Sequence, residues 1–152
     1  MPLINIVLGA PCAGKSSFVE EKARNEDLKV DFDKLALSLG SVKSHESRGA
    51  VRGAAFAARS AVIEYAIKGI ESDAWIIHTS PQEDQLARYE AVGAVFHVLD
   101  PGREICIARS IKDGRPDGTV DTINSWYSAN EKTARRFSIE SQLIRRIQAV
   151  TA

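Results

Sequence analysis

The chain is poor in cysteine, carries no net charge and lacks any long apolar run. Its only cysteines, Cys12 and Cys106, lie far apart and without metal-ligand spacing, which excludes a disulfide scaffold and makes a reducing, cytoplasmic setting the default expectation. Lys and Arg number 20 and so do Asp and Glu, so no global field draws the chain to nucleic acid or to an anionic membrane. Only local basic patches remain for such partners. The apolar stretch near the N-terminus is too short to span a bilayer and lacks the charged start and cleavage pattern of a signal peptide. No association with a membrane is therefore expected. Repeats, low-complexity tracts and linkers are missing as well, so 152 residues are expected to form one domain that buries roughly two-thirds of its unfolded surface. What remains, 44% apolar and 26% charged, is the balance of an ordinary globular protein.

Strand and helix signals alternate along the chain. Leu3 to Leu8 is a β-branched apolar run, the pattern of a buried strand. Gly9 to Gly14 interrupts it, and Lys15 to about Arg24 is helical in pattern. Leu28 to Phe32 is a weaker second strand, followed by a short helix from Asp33 to Leu39 ending at Gly40. After about eight polar residues an Ala-rich helix runs from about Arg48 to Ile70. Ala74 to Ile77 forms the third strand. Ser80-Pro81-Gln82-Glu83 is a helix start with Ser80 as cap, Pro81 in the first turn and Glu83 placed for a capping box. Ala94 to Leu99 is the fourth strand, and Asp100-Pro101 repeats the cap-and-proline signal for a helix to about Ile111. Lys112 to Gly118 is a loop. Thr119 caps a last helical region towards Ile147, with a break near Ser138. This order predicts a three-layer α/β protein with a parallel sheet of four to five strands and helices on both faces. Ligands in such folds bind at the carboxyl ends of the strands, here Gly9 onward, Asp31 to Asp33, His78 to Ser80, and Asp100.

Gly9-Ala10-Pro11-Cys12-Ala13-Gly14-Lys15-Ser16 fulfils G-x-x-x-x-G-K-[ST]. Its glycines let backbone N–H groups turn inward onto a phosphate, and the helix that follows adds the positive end of its dipole. The nucleotide-binding set is Gly9, Ala13, Gly14, Lys15, Ser16 and Ser17. Lys15 reaches the β- and γ-phosphates, and the Ser16 hydroxyl holds Mg²⁺. ATP and Mg²⁺ are the expected cofactors. Cys12, near a helix N-terminus, is expected to have a lowered pKa, and its alternative roles are a small residue that fits the loop or a redox switch.

The chain resembles the P-loop kinases, and among them the phage-type polynucleotide kinase group. Gly-x-Pro-x-x-Gly-Lys-Ser, Val30-Asp31-Phe32-Asp33 and Arg109…Arg115 ahead of a helix occur in matching order over residues 3–130. The resemblance implies the P-loop NTPase fold, a parallel sheet with the phosphate-loop strand central, an ATP lid carrying arginines, and a carboxylate that activates the acceptor hydroxyl. It departs from that group at Ala36, where the group carries an arginine.

Asp31 and Asp33 alternate, so on a strand they share one face. A carboxylate beside the γ-phosphate orients an acceptor hydroxyl and takes its proton. The resemblance gives that role to Asp33, with Asp31 as a Mg²⁺ or Mg²⁺–water partner. The competing role for Asp33 is an N-cap. Strand three ends Trp75-Ile76-Ile77-His78-Thr79-Ser80 without an acid, which weakens the case for a motor-type ATPase. His78 is either a substrate contact or a structural histidine.

Arg48, Arg52 and Arg59 lie within about 40° on a helical wheel at 100° per residue. They edge the apolar face beside alanines. There they bind an anionic acceptor or merely snorkel at a core boundary. Arg109, and Arg115 within Asp113-Gly114-Arg115-Pro116-Asp117-Gly118, suit a lid over ATP at about residues 112–118, with Arg115 catalytic. The alternative is an ordinary surface loop. Arg135, Arg136, Arg145 and Arg146 make the C-terminal segment basic, with no role given to them.

The function these features predict is an ATP-dependent kinase that moves the γ-phosphoryl group to a hydroxyl. Its acceptor is a nucleic-acid 5′-hydroxyl, a nucleoside or nucleotide, or another small alcohol, and a phosphate-bearing acceptor is expected over a neutral sugar. The alternatives are a hydrolytic NTPase or nucleotide-gated switch acting on a protein partner, and a nucleotide-binding module without turnover. Oligomeric state is not encoded in any of these signals.

Overall fold

The computed structural model describes residues 1–130. Its elements are β1 (Ile4–Gly9), α1 (Lys15–Lys22), β2 (Leu28–Val30), α2 (Phe32–Ser38), α3 (Gly49–Ile67), β3 (Ala74–His78), α4 (Glu83–Ala91), β4 (Val95–Leu99) and α5 (Arg103–Lys112). Residues 119–130 are helical again. The strands form a four-stranded sheet of order β2-β3-β1-β4, and every pair is parallel. Each crossover passes through at least one helix, as parallel pairing requires. The strand that feeds the phosphate loop is thus interior, between β3 and β4.

Alternation along the strands divides the core into layers. Ile6 and Leu8 of β1 point to one face, where Val30, Ile76 and Phe96 join Ile63 of α3 and Tyr89 of α4. Val7 and Trp75 point to the other face and meet Val19 of α1. Ala10, Ala13, Cys106 of α5, Ile123 and Trp126 form a third cluster beneath the phosphate loop. Helices on both faces make the three-layer α/β architecture read from the sequence. The polar residue inside β1, Asn5, donates to the Ala74 carbonyl at 3.3 Å and shares a 2.9 Å hydrogen bond with His97 Nε2. No helix among the described residues is long and apolar enough to cross a membrane.

Several helix starts differ from those expected. β2 stops at Val30, so Asp31 and Asp33 do not share a strand face. Asp31 is the N-cap of α2, accepting from the backbone N–H groups of Asp33 and Lys34, and Asp33 sits in the first helical turn. α4 is capped by Gln82, in a reciprocal pair with Gln85, instead of by Ser80 and Glu83. The chain bends at Thr79 and Ser80 before this start, and the Trp126 indole N–H holds the Thr79 carbonyl at 2.7 Å. α5 is capped at Gly102 and not at Asp100, whose carboxylate accepts a 2.8 Å hydrogen bond from the Tyr127 hydroxyl. Thr119 is already helical, and its hydroxyl donates to the Pro116 carbonyl. The expected run to Ile147, its break at Ser138, and Arg135, Arg136, Arg145 and Arg146 lie outside the described residues.

Candidate functional site

The phosphate loop leaves the carboxyl end of β1 in a space that admits no side chain at its first position. A Cβ on Gly9 would stand 3.0 Å from both the Ala13 Cβ and the Leu99 carbonyl oxygen. The loop then turns through a left-handed residue at Cys12 (φ 63°), and Gly14 (φ 94°) caps α1. Lys15 folds back along the loop, its ammonium donating to the carbonyls of Gly9 at 2.7 Å and Ala10 at 2.8 Å. The side chain is not wholly covered, but its ammonium is packed into the loop, and that burial lowers its pKa to about 8, with Arg115 adding to the effect. The Cys12 thiol is pushed up by burial, against the lowering influence of Arg115 and Lys15. This reverses the lowered value expected from the helix terminus and leaves Cys12 an uncharged residue filling a tight turn.

Asp31 and Asp33 stand at the carboxyl end of β2, and they divide two tasks. The Ser16 hydroxyl donates to Asp31 Oδ2 at 2.8 Å, while Asp31 Oδ1 caps α2. One carboxylate thereby ties the first turn of α1 to the first turn of α2. A hydroxyl and a carboxylate in contact are hard oxygen donors of the kind Mg²⁺ prefers. Among the described residues no cluster of three or more His, Cys, Asp or Glu forms a metal cage. The remaining ligands of such an ion would have to be phosphate oxygens and water. Asp33 pairs with His45 Nδ1 at 2.7 Å. Burial pushes its carboxyl up, but the His45 hydrogen bond and the charges of His45 and Arg115 outweigh that and leave it below the ordinary range. Asp33 is thus ionised at neutral pH. Ser16 and Asp31 also line a cavity of about 180 Å³ between α1, β2 and α2.

Arg109 and Arg115 both approach the loop. Arg109 of α5 donates to the Cys12 carbonyl at 3.1 Å. Arg115 bears electrostatically on Cys12, Lys15 and Asp33, which sets its charge among the phosphate loop and the carboxylate. Its backbone is fixed by the end of α5: Arg115 N–H bonds the Ser110 carbonyl at 3.0 Å, with Gly114 at φ 61°. That is a helix-terminating motif in which glycine supplies the left-handed residue. Gly114 therefore acts as a helix cap here.

The arginines of α3 have different surroundings. Arg48 is the N-cap residue and is exposed. Arg52 is exposed too, with its guanidinium carbon 5.9 Å from the Phe32 ring centroid and 5.3 Å from that of Phe56. Both are exposed, and Arg52 covers an aromatic pair. Arg59 turns inward to the carboxyl end of β3, donating to the Ile77 carbonyl at 2.9 Å and to His78 Nδ1 at 2.8 Å. Because arginine only donates, His78 accepts at Nδ1, carries its proton on Nε2 and donates to the Tyr89 hydroxyl at 2.6 Å. Burial, reinforced by the Arg59 charge, drives the His78 pKa down to about 3. His78 is a structural histidine that locks α3 and α4 to β3, and Arg59 is the anchor of that lock.

This lock predicts acid sensitivity. The unfolded histidine takes up a proton near pH 6.5 while the folded one stays neutral to about 3. Below pH 6.5 the unfolded state therefore binds more protons, and stability falls by about 1.4 kcal/mol per pH unit from this group. His78→Gln can still accept from Arg59 and donate to Tyr89. Between pH 7 and 5, urea melts should show wild type losing about 2 kcal/mol more than the variant; equal losses would remove the histidine from the account.

His45 and Phe56 were not singled out by sequence reading. His45 sits in the polar stretch before α3, where no periodicity marks it. Phe56 follows Arg52 by four residues and so belongs to the same helical face, a signal that was present. Ala36, where an arginine was expected by resemblance, is buried within α2, so a long cation at this position has no room.

No family model matches the chain, and no curated protein matches it significantly. Among solved structures it is similar to shikimate kinase from Acinetobacter baumannii in complex with shikimate, at 14% identity and a TM-score of 0.51, over 89% of this chain and 80% of that one. At this identity the likeness speaks to fold alone: an α/β fold with a four-stranded parallel sheet of order 2-3-1-4 and a glycine-rich loop after the interior strand β1.

Proposed function

We propose that the chain is a single-domain ATP-dependent phosphotransferase, acting in the cytoplasm on a hydroxyl-bearing, phosphate-carrying acceptor such as a nucleotide or a nucleic-acid 5′-hydroxyl. The observation that carries this is the 2.8 Å bond between Ser16 and Asp31, which ties the phosphate loop to the turn that presents Asp33. Loop N–H groups and Lys15 bind the β- and γ-phosphates. Ser16 and Asp31 would hold Mg²⁺, which neutralises phosphate charge when bound. Asp33, ionised, orients the acceptor hydroxyl. As the acceptor oxygen bonds to the γ-phosphorus and the bond to the β–γ bridging oxygen breaks, Asp33 takes the hydroxyl proton and ADP leaves. His45 and Arg115 hold Asp33 in the ionised form this requires. Arg109 and Arg115 complement charge on the phosphates.

Arg115→Ala should lower kcat by about 10-fold or more while ATP affinity changes less, because its charge is used most as the phosphoryl group transfers. Steady-state kinetics at saturating acceptor separate the two; equal effects on affinity and kcat/KM, with kcat unchanged, would make it a ground-state contact only. The proposed function itself is tested by ADP release with and without candidate acceptors. Release that depends on a hydroxyl acceptor supports the kinase, acceptor-independent release supports a hydrolytic switch, and nucleotide binding without release supports a passive module.

A further inference from the structure

The exposed ring of Phe56 stands on the same face of α3 as three arginines. Arg48, Arg52, Phe56 and Arg59 are spaced four, four and three residues apart and fall within an arc of about 80° at 100° per residue. The stripe begins in solvent at Arg48 and Arg52 and ends at Arg59, whose bonds to Ile77 and His78 place it at the carboxyl end of β3. It therefore leads to the edge of the sheet where ligands of this fold class bind. Phe56 is 45% exposed. It packs against Phe32 at a centroid distance of 4.4 Å, and the Arg52 guanidinium lies over both rings. Phe32 in turn separates Asp31 from Asp33 in the first turn of α2. A half-exposed aromatic face flanked by exposed cations, one residue removed from the acceptor carboxylate, has the chemistry of a stacking platform with a phosphate contact beside it.

We propose that the exposed part of Phe56, whose ring also meets Phe32 and the Arg52 guanidinium, stacks the base of the acceptor, so that the substrate class is a base joined to a phosphate. This rests on the kinase reading above and adds to it the part of the acceptor that is recognised. The base lies on Phe56, the acceptor phosphate meets Arg52 and Arg48, and the hydroxyl is left to Asp33. Arg59, committed to His78, anchors the end of the stripe and makes no acceptor contact. A free nucleotide and a strand end offer the same stacking surface and charge, and the oligonucleotide arm of the test separates them.

The test is calorimetric binding to the full chain with the phosphate loop first saturated by a non-hydrolysable ATP analogue and Mg²⁺. Three probes are compared: a nucleoside 3′-monophosphate with a free 5′-hydroxyl, a short 5′-hydroxyl oligonucleotide, and ribose phosphate, which keeps the sugar and charge but has no base. Wild type should bind the base-bearing probes about 10-fold or more tightly than ribose phosphate, in line with stacking on an aromatic side chain. Phe56→Ala should erase that preference while binding ribose phosphate as wild type does, and Phe56→Tyr should retain it. If Phe56→Ala melts far below wild type, Phe56→Leu, which keeps an apolar contact with Phe32 but loses the ring, takes its place. A nucleotide bound as well as the oligonucleotide makes the free nucleotide the source, and a marked gain with the oligonucleotide makes it a strand end. Failure of wild type to distinguish base from no base, or a ring-less variant that still does, overturns the platform and leaves the kinase reading standing. Failure of the ATP analogue to bind overturns both.

Discussion

Asp33→Asn should leave ATP affinity within about twofold of wild type and cut phosphotransfer by about 10²-fold or more, the low end for a positioned general base. The asparagine keeps the size of the side chain and its place in the first turn of α2, where the cap is supplied by Asp31. What it loses is the negative charge that orients a hydroxyl and receives its proton. The pH profile carries a second part of the expectation. His45 and Arg115 hold the Asp33 carboxyl below the ordinary range against its burial. Removing the imidazole in His45→Ala withdraws support from the charged form and raises the pKa of Asp33. The acid limb of kcat/KM should therefore move to higher pH in that variant, with activity at the plateau largely kept. An Asp33→Asn enzyme with full turnover would hand the base role to another group, and an unmoved acid limb in His45→Ala would sever His45 from the chemistry.

Lys15→Ala should weaken ATP binding by about 10²-fold or more, as the loss of charge-assisted contacts to the β- and γ-phosphates implies, while AMP affinity changes little. Proton linkage gives a sharper signature of the same residue. In the free protein burial holds the Lys15 pKa near 8. Phosphate oxygens favour the charged form and raise it again. Between about pH 8 and the raised value, the complex binds more protons than the free protein does. Nucleotide binding should then take up a proton, and affinity should fall as pH rises through 8. Calorimetry at pH 8.5 in two buffers of different ionisation enthalpy reads this uptake directly. Lys15→Arg, whose guanidinium stays charged, should abolish it. An ATP affinity in Lys15→Ala equal to wild type would refute the phosphate-loop assignment.

The parts of this molecule that were legible in the sequence are those where local chemistry has a single solution. β1 is buried on both faces, so it shows as an apolar run broken only by Asn5, and the loop after it favours glycine where Leu99 and Ala13 close in. Lys15, Ser16 and their neighbours followed from that spacing. Helix starts were less legible because several residues near each one are competent caps. The choice among them is made by tertiary contacts: Trp126 takes the Thr79 carbonyl, and Tyr127 takes the Asp100 carboxylate. The roles of the two aspartates depended on where β2 ends, and a three-residue strand leaves little pattern to fix that. The arginine stripe was visible as spacing, but the inward turn of Arg59 to His78 depends on a strand distant in sequence. The helical wheel cannot show it.

The most direct measurement of the central claim follows the γ-phosphoryl group itself. With γ-labelled ATP, Mg²⁺ and a panel of a 5′-hydroxyl oligonucleotide, a nucleoside monophosphate and an uncharged nucleoside, label is expected to become covalently attached to a phosphate-bearing acceptor. That attachment should be lost in Asp33→Asn. Label appearing only as inorganic phosphate, at a rate no acceptor alters, would contradict it.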